Sequence, residues 1–165
     1  MQEALQEGQS LAAELGHGEI CPTHVFQATL AQADGVVRPL LQATGASPTQ
    51  LAADVDTLLQ RQASVEGGTE PEVGRELSET LRASEKVMKR LKDKFLSVEH
   101  FFIAVVESKS TLGDVVRKAG LTAAALEKAL ASVRGHQNVT DQDPEGKYQS
   151  LEKYGQDLTA HARKG

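Results

Sequence analysis

A chain of 165 residues, 39% of them apolar, can bury one core, but with aromatics at 4% and no Trp that core must be aliphatic. A net charge of −5 with no Lys/Arg-rich arm argues against a general binder of phosphate backbones, and the single Cys21 excludes an intrachain disulfide framework. No apolar run approaches the ~20 residues of a membrane span, and Met1-Gln2-Glu3-Ala4 lacks the basic and apolar parts of a signal peptide, so a soluble cytoplasmic protein is expected.

In chain order, Leu5, Leu11, Ala12 and Leu15 share one face of a first helix over residues 2 to about 15. That helix opens without a capping residue and reads as shortened; Gly16-His17-Gly18 stops it. Pro22 sits where a first helical residue belongs, and Val25, Phe26, Thr29 and Leu30 carry the second stripe. Val36, Val37, Leu40 and Leu41 predict a short third helix ending at Gly45, a residue suited to a left-handed cap. Ser47-Pro48-Thr49-Gln50 reads as a capping box for a fourth helix carrying Leu51, Val55, Leu58 and Leu59.

Periodicity lapses over 62–75, where Gly67-Gly68, Pro71 and Gly74 mark a linker. A long fifth helix follows, with Leu77, Leu81, Ser84, Val87, Met88 and Leu91, ending near Asp93. Ser97 is placed to cap the sixth, with Glu99 near the positive end of its dipole. Ser110 opens a short seventh helix ended by Gly120, and Thr122 caps an eighth carrying Leu126, Leu130 and Val133. No strand is expected. Beyond a polar connector, Leu151, Tyr154 and Leu158 line one face of a further amphipathic helix.

The chain says much of this twice. Ile20-Cys21-Pro22-Thr23-His24-Val25-Phe26 aligns with Leu96-Ser97-Val98-Glu99-His100-Phe101-Phe102 at an offset of 76, as do Leu5 with Leu81 and Leu11 with Val87. One residue is then dropped, and Leu40, Gly45 and Leu51 align with Val115, Gly120 and Leu126 at 75. Matched positions are mostly apolar or Gly, the mark of a duplicated packing unit. The fold expected is therefore all-α: a compact bundle of about eight helices built from two pseudo-twofold four-helix repeats, with a C-terminal linker and extra helix. The divisions are 1–61 for the first repeat, 62–75 for the linker between repeats and 76–134 for the second repeat. A second linker spans 135–145, and 146–165 begins another domain.

The two repeats, each with a His near the start of its second helix, resemble the Clp N-terminal repeat domain. The tail, with Asn138-Val139-Thr140-Asp141-Gln142-Asp143 and Leu151-Glu152-Lys153-Tyr154-Gly155, is similar to the join between that domain and the first ATPase domain in the ClpB-type AAA+ disaggregases. The resemblance implies a substrate-facing domain of an ATP-driven hexameric ring. It would recognise unfolded or aggregated polypeptide through a shallow apolar groove and pass it to the ring. The family's groove positions fall on Ala83, Val87 and His100, with Phe101 beside them, and its two activity-linked acidic positions fall on Asp93 and Glu99. It also implies ATP and magnesium in ATPase domains outside this stretch, an Hsp70 chaperone system reached through those domains, and a monomer for the stretch alone. Neither nucleic acid nor membrane is an expected partner.

Within the chain no cofactor is expected: Gly146-Lys147 lacks the earlier Gly of a phosphate loop, Asp141 standing in its place. Catalytic residues are not expected either, since Asp93 and Glu99 have no accompanying nucleophile. Two other readings stay open: an adaptor-docking N domain of a protease-associated Clp ATPase, and a small metal-dependent enzyme using Cys21 and His24. His17, Glu19, Cys21 and His24 crowd one span without a typical zinc spacing. Equivalence in the repeat favours one structural role for His24 and His100. Lys86, Lys89, Arg90, Lys92 and Lys94 read as a solvated basic face.

Overall fold

The computed structural model describes residues 1–135, and the expected helix around Leu151, Tyr154 and Leu158 lies outside them. Each repeat folds into four helices. The first gives α1 (Gln2–Glu14), α2 (Pro22–Ala31), α3 (Val37–Thr44) and α4 (Pro48–Gln60). The second gives α5 (Arg75–Arg90), α6 (Val98–Glu107), α7 (Thr111–Lys118) and α8 (Ala123–Arg134).

Helix starts are set by side-chain oxygens that satisfy amide groups with no partner inside the helix. Ser110 Oγ accepts from the Gly113 amide at 3.0 Å and Thr122 Oγ1 from the Ala125 amide at 3.1 Å. Ser47 Oγ accepts from the Gln50 amide at 3.3 Å, but the Gln50 side chain donates to Asp54 instead of returning to the cap, so only half of the expected box forms. Gly45 closes α3 at φ 80°, a left-handed conformation that costs glycine little.

Helices α2 and α6 are the apolar centre, with every residue from Val98 to Val106 buried. Their equivalent residues Phe26 and Phe102 stack on each other, ring centroids 4.1 Å apart, so the pseudo-twofold relation passes through one aromatic pair. The first helix of each repeat lies against its second. At Gly8 the helices approach so closely that a Cβ would sit 2.9 Å from Val25 Cγ2 and 3.1 Å from the Val25 backbone. At the matching position Ser84 is buried and its hydroxyl is returned to the Thr80 carbonyl at 2.7 Å.

One feature departs from the expectation of no strand. The segment between the repeats is pinned to the α1–α2 loop by a parallel pair of two-residue strands, β1 (Glu19–Ile20) and β2 (Glu72–Val73), in register Glu19 to Glu72 and Ile20 to Val73. Beside it the Val65 amide donates to the Gly16 carbonyl at 2.7 Å. Two residues are too few to show a period of two in side-chain pattern, and this pairing is made by backbone groups alone.

Candidate functional site

The sequence stretches around His24 and His100 build the same device twice. Each His is the third residue of its helix, and its Nδ1 accepts from the backbone N–H of the capping residue, Cys21 or Ser97, at 2.9 Å in both repeats. A backbone N–H can only donate, so each ring carries its proton on Nε2. His24 Nε2 therefore donates to His17 Nδ1 at 2.7 Å, and His100 Nε2 to Asp93 Oδ2 at 2.7 Å. His17 and Asp93 are themselves repeat equivalents. The shared structural role expected of the two histidines is a helix cap tied to the preceding loop.

This use of both nitrogens bears on the metal-enzyme reading. His24 has no lone pair left for a cation, and among the described residues no group of three or more His, Cys, Asp or Glu is placed to hold a metal. Burial, then the charges of Glu76 and Glu19, pushes the Cys21 thiol up, away from a reactive thiolate.

In the second repeat the device is charged. Arg134, the last residue of α8, donates through Nη1 to Asp93 Oδ2 at 2.8 Å and through Nη2 to Glu99 Oε1. Ser97 Oγ adds a contact to His100 Nδ1 at 2.9 Å. All five side chains are buried. Glu99 lies in the first turn of α6 and Arg134 in the last turn of α8, so each sits at the helix end whose dipole favours its charge. Burial opposes the Arg134 charge, but Glu99 and Asp93 outweigh it and raise its pKa. Burial holds His100 below the ordinary His range despite Asp93 and Glu99. The cluster thus carries two carboxylates, one guanidinium and a neutral imidazole, and it fastens the α5–α6 junction to the end of α8.

Of the six positions expected to meet a client, the structure brings Asp93, Glu99 and His100 into this one network. Val87 and Phe101 lie in the core, and Ala83 alone is partly exposed, on α5. Leu81 and Met88 of α5, Leu91 just past its end, and Phe95 and Leu96 before α6 are also partly exposed, with Leu81 and Met88 on the flank of the helix opposite Ala83. Arg134 was missed: it is 41 residues from Asp93 and 35 from Glu99, and a basic residue in a last helical turn has an ordinary explanation. The basic face of α5 is exposed as expected, with Arg90 bound to Glu107 at 2.8 Å and to Glu127 at 2.7 Å.

A pH dependence follows from His24. Burial first, and the His17 ring second, lower its pKa from 6.5 to about 4. Between those values the unfolded chain binds the proton and the folded chain does not, so acid favours unfolding. The contribution is fully present above pH 6.5 and is lost as pH falls toward 4, with His100 acting in the same direction. Urea midpoints measured from pH 7 to 4.5 should fall, and His24→Gln should flatten the slope while lowering the midpoint at pH 7. An unchanged slope in that variant would remove His24 as the cause.

Comparison with known proteins adds the following. Residues 1–119 match the Clp repeat (R) N-terminal domain. The chain is 38% identical over 165 residues to chaperone protein ClpB of Corynebacterium efficiens, a match covering 99% of this chain but 19% of that protein. It spans about a fifth of the length of the curated relatives it matches first. Among solved structures, the Hsp104 N-terminal domain from Candida albicans superposes with a TM-score of 0.74 at 16% identity, covering 87% of this chain and 94% of that one. A complex of the ClpV N-domain with VipB peptide gives 0.63 at 21% identity, covering 81% and 84%.

Proposed function

The chain belongs to the Clp repeat N-terminal domain family, and from that premise we propose that it is the polypeptide-contacting N-terminal domain of a ClpB-type disaggregase. The observation that carries this reading is identity at the level of ClpB chaperones across essentially the whole chain. Among the described residues no helix is long and apolar enough to cross a membrane. ATP, magnesium, hexamer formation and cooperation with an Hsp70 system belong, on this reading, to parts of the longer relatives that this chain does not span.

Client contact is assigned to the flank of α5 that carries Leu81 and Met88, with Leu91 just past its end, all partly exposed; Ala83 lies on the opposite flank. Val87 and Phe101 lie beneath the helix–helix seam, and Asp93, Glu99 and His100 hold the α5–α6 junction rigid. Unfolded clients share exposed apolar side chains, and a shallow apolar surface with few directional bonds reads them without regard to sequence. Such a patch buries little area, so the association cost leaves a weak interaction, about 0.1 mM or roughly 5 kcal/mol per domain. A hexamer offsets that by multivalency and still releases its client.

Amide NMR titration with reduced, unfolded casein tests the assignment. Shifts should cluster at Leu81, Met88 and Leu91, and Met88→Asp, at a partly exposed position, should abolish them while preserving the folded spectrum. Shifts absent or spread evenly over the surface at high casein concentration would overturn it and leave docking of a folded adaptor as the better account.

A further inference from the structure

The two repeats share a plan, yet the seams between their first and second helices are fastened differently. Between α1 and α2 lies a cleft of about 470 Å³ with Leu11, Ala28 and Ala31 among its apolar lining. Its edges carry Glu7, Glu14 and Gln32, Gln32 Nε2 donating to Glu7 Oε2 at 2.8 Å. Gln27 also lines it, and its Oε1 is buried with no hydrogen-bond partner among the described residues. Glu7 and Leu11 are the repeat equivalents of Ala83 and Val87.

The difference between the seams has a physical cause. In the second repeat Arg90 reaches Glu107 and Glu127 and bridges three helices, and the position equivalent to Gln27 is Ile103, fully buried. The first repeat has Glu14, Ala31 and Ala52 where the second has Arg90, Glu107 and Glu127. A carboxylate and two methyl groups cannot form the bridge, so the α1–α2 seam stays open with its acids unneutralised by a local base.

The charge around it is one-sided. Residues 1–37 contain five acids and no Lys or Arg, and the first repeat has seven acids against two bases. The second repeat has eight acids against eleven bases. An apolar floor between carboxylates, in a negative field, complements a cation–apolar–cation ligand. Glu7 and Glu14 are two helical turns apart, about 10 Å, which three steps of extended chain also span.

We propose that the α1–α2 cleft of the first repeat is a second polypeptide-binding site, selective for extended segments in which two apolar residues are flanked by Arg or Lys. It stands independently of the client surface assigned to α5. The Gln27 carboxamide oxygen accepts from a backbone N–H of the bound segment, and Glu7 and Glu14 meet the two cations.

Fluorescence anisotropy of the whole chain with labelled peptides tests this, one peptide carrying Arg-Leu-Leu-Arg and the other Glu-Leu-Leu-Glu within Gly/Ser flanks. The basic peptide should bind saturably and the acidic one should not. Glu14→Arg with Ala52→Glu, which rebuilds the bridge of the second repeat at partly or fully exposed positions, should weaken the basic peptide about tenfold or more. Met88→Asp should leave it unchanged, so that failure here and failure of the α5 assignment read out separately. Equal binding of both peptides, or full affinity in the double variant, would overturn the proposal. So would a chain that dimerises until Glu14→Arg is introduced, because the cleft would then belong to the basic α5 face of a second copy.

Discussion

Arg134→Ala is expected to destabilise the chain by about 3–5 kcal/mol in urea unfolding, far more than truncation of any surface Arg. The side chain is 6% exposed and holds Asp93 and Glu99 together. Its removal takes the guanidinium away from two buried carboxylates, and the lost pairing no longer offsets their desolvation. Glu99 Oε2 already has no hydrogen-bond partner among the described residues, so these residues offer little spare donor capacity to absorb the loss. Asp93→Asn and Glu99→Gln added to Arg134→Ala should recover part of the stability, because the stranded charges are then gone. A loss below about 1 kcal/mol, the surface-pair range, would show that the cluster is hydrated and not a rigid clamp. The outcome also bears on function. If the clamp fails, the α5–α6 junction loosens, and casein shifts around Met88 and Leu91 should broaden even where the core survives.

Much of this architecture was legible because duplication makes the chain its own control. The offset of 76 aligned His24 with His100 and anticipated one structural role for both, and the caps at Ser47, Ser110 and Thr122 stand where hydroxyls precede apolar stripes. The site was less legible, since a repeat pairs equivalent positions and says nothing of which helices meet. Even so, a signal was present. His17, Thr23 and Leu59 in the first repeat become Asp93, Glu99 and Arg134 in the second. Three neutral positions turning charged together, two acidic and one basic, is what a buried network requires, because none of the three is tolerated alone. The groove positions differ in depth, which the sequence did not show for a related reason. A periodic stripe reports the inward face of α5, and Val87 lies on it, whereas the flanking Ala83 reaches solvent. The cleft in the first repeat needed coordinates, for it arises from side chains that are too small, Ala31 and Ala52, and smallness leaves no pattern.

Phe102→Ala should cost about 3–5 kcal/mol, as should Phe26→Ala, since each empties a fully buried aromatic site. The informative quantity is their combination. The rings stack at 4.1 Å with 23° between planes, so removing the second ring deletes few contacts that the first removal had not already broken. The double variant should therefore lose at least about 1 kcal/mol less than the sum of the two, the coupling expected of an aromatic pair in direct contact. The same pair decides whether the repeats unfold as one. Phe26 comes from the first and Phe102 from the second, and α2 and α6 have no other stacked ring pair across the pseudo-twofold among the described residues. Wild type should unfold in a single urea transition seen alike by far-UV circular dichroism and by amide exchange in either repeat. Additive losses, or two transitions already present in the wild type, would mean that the halves are held together mainly by α3 against α8 and α4 against α7, with the aromatic pair a passive filler between them.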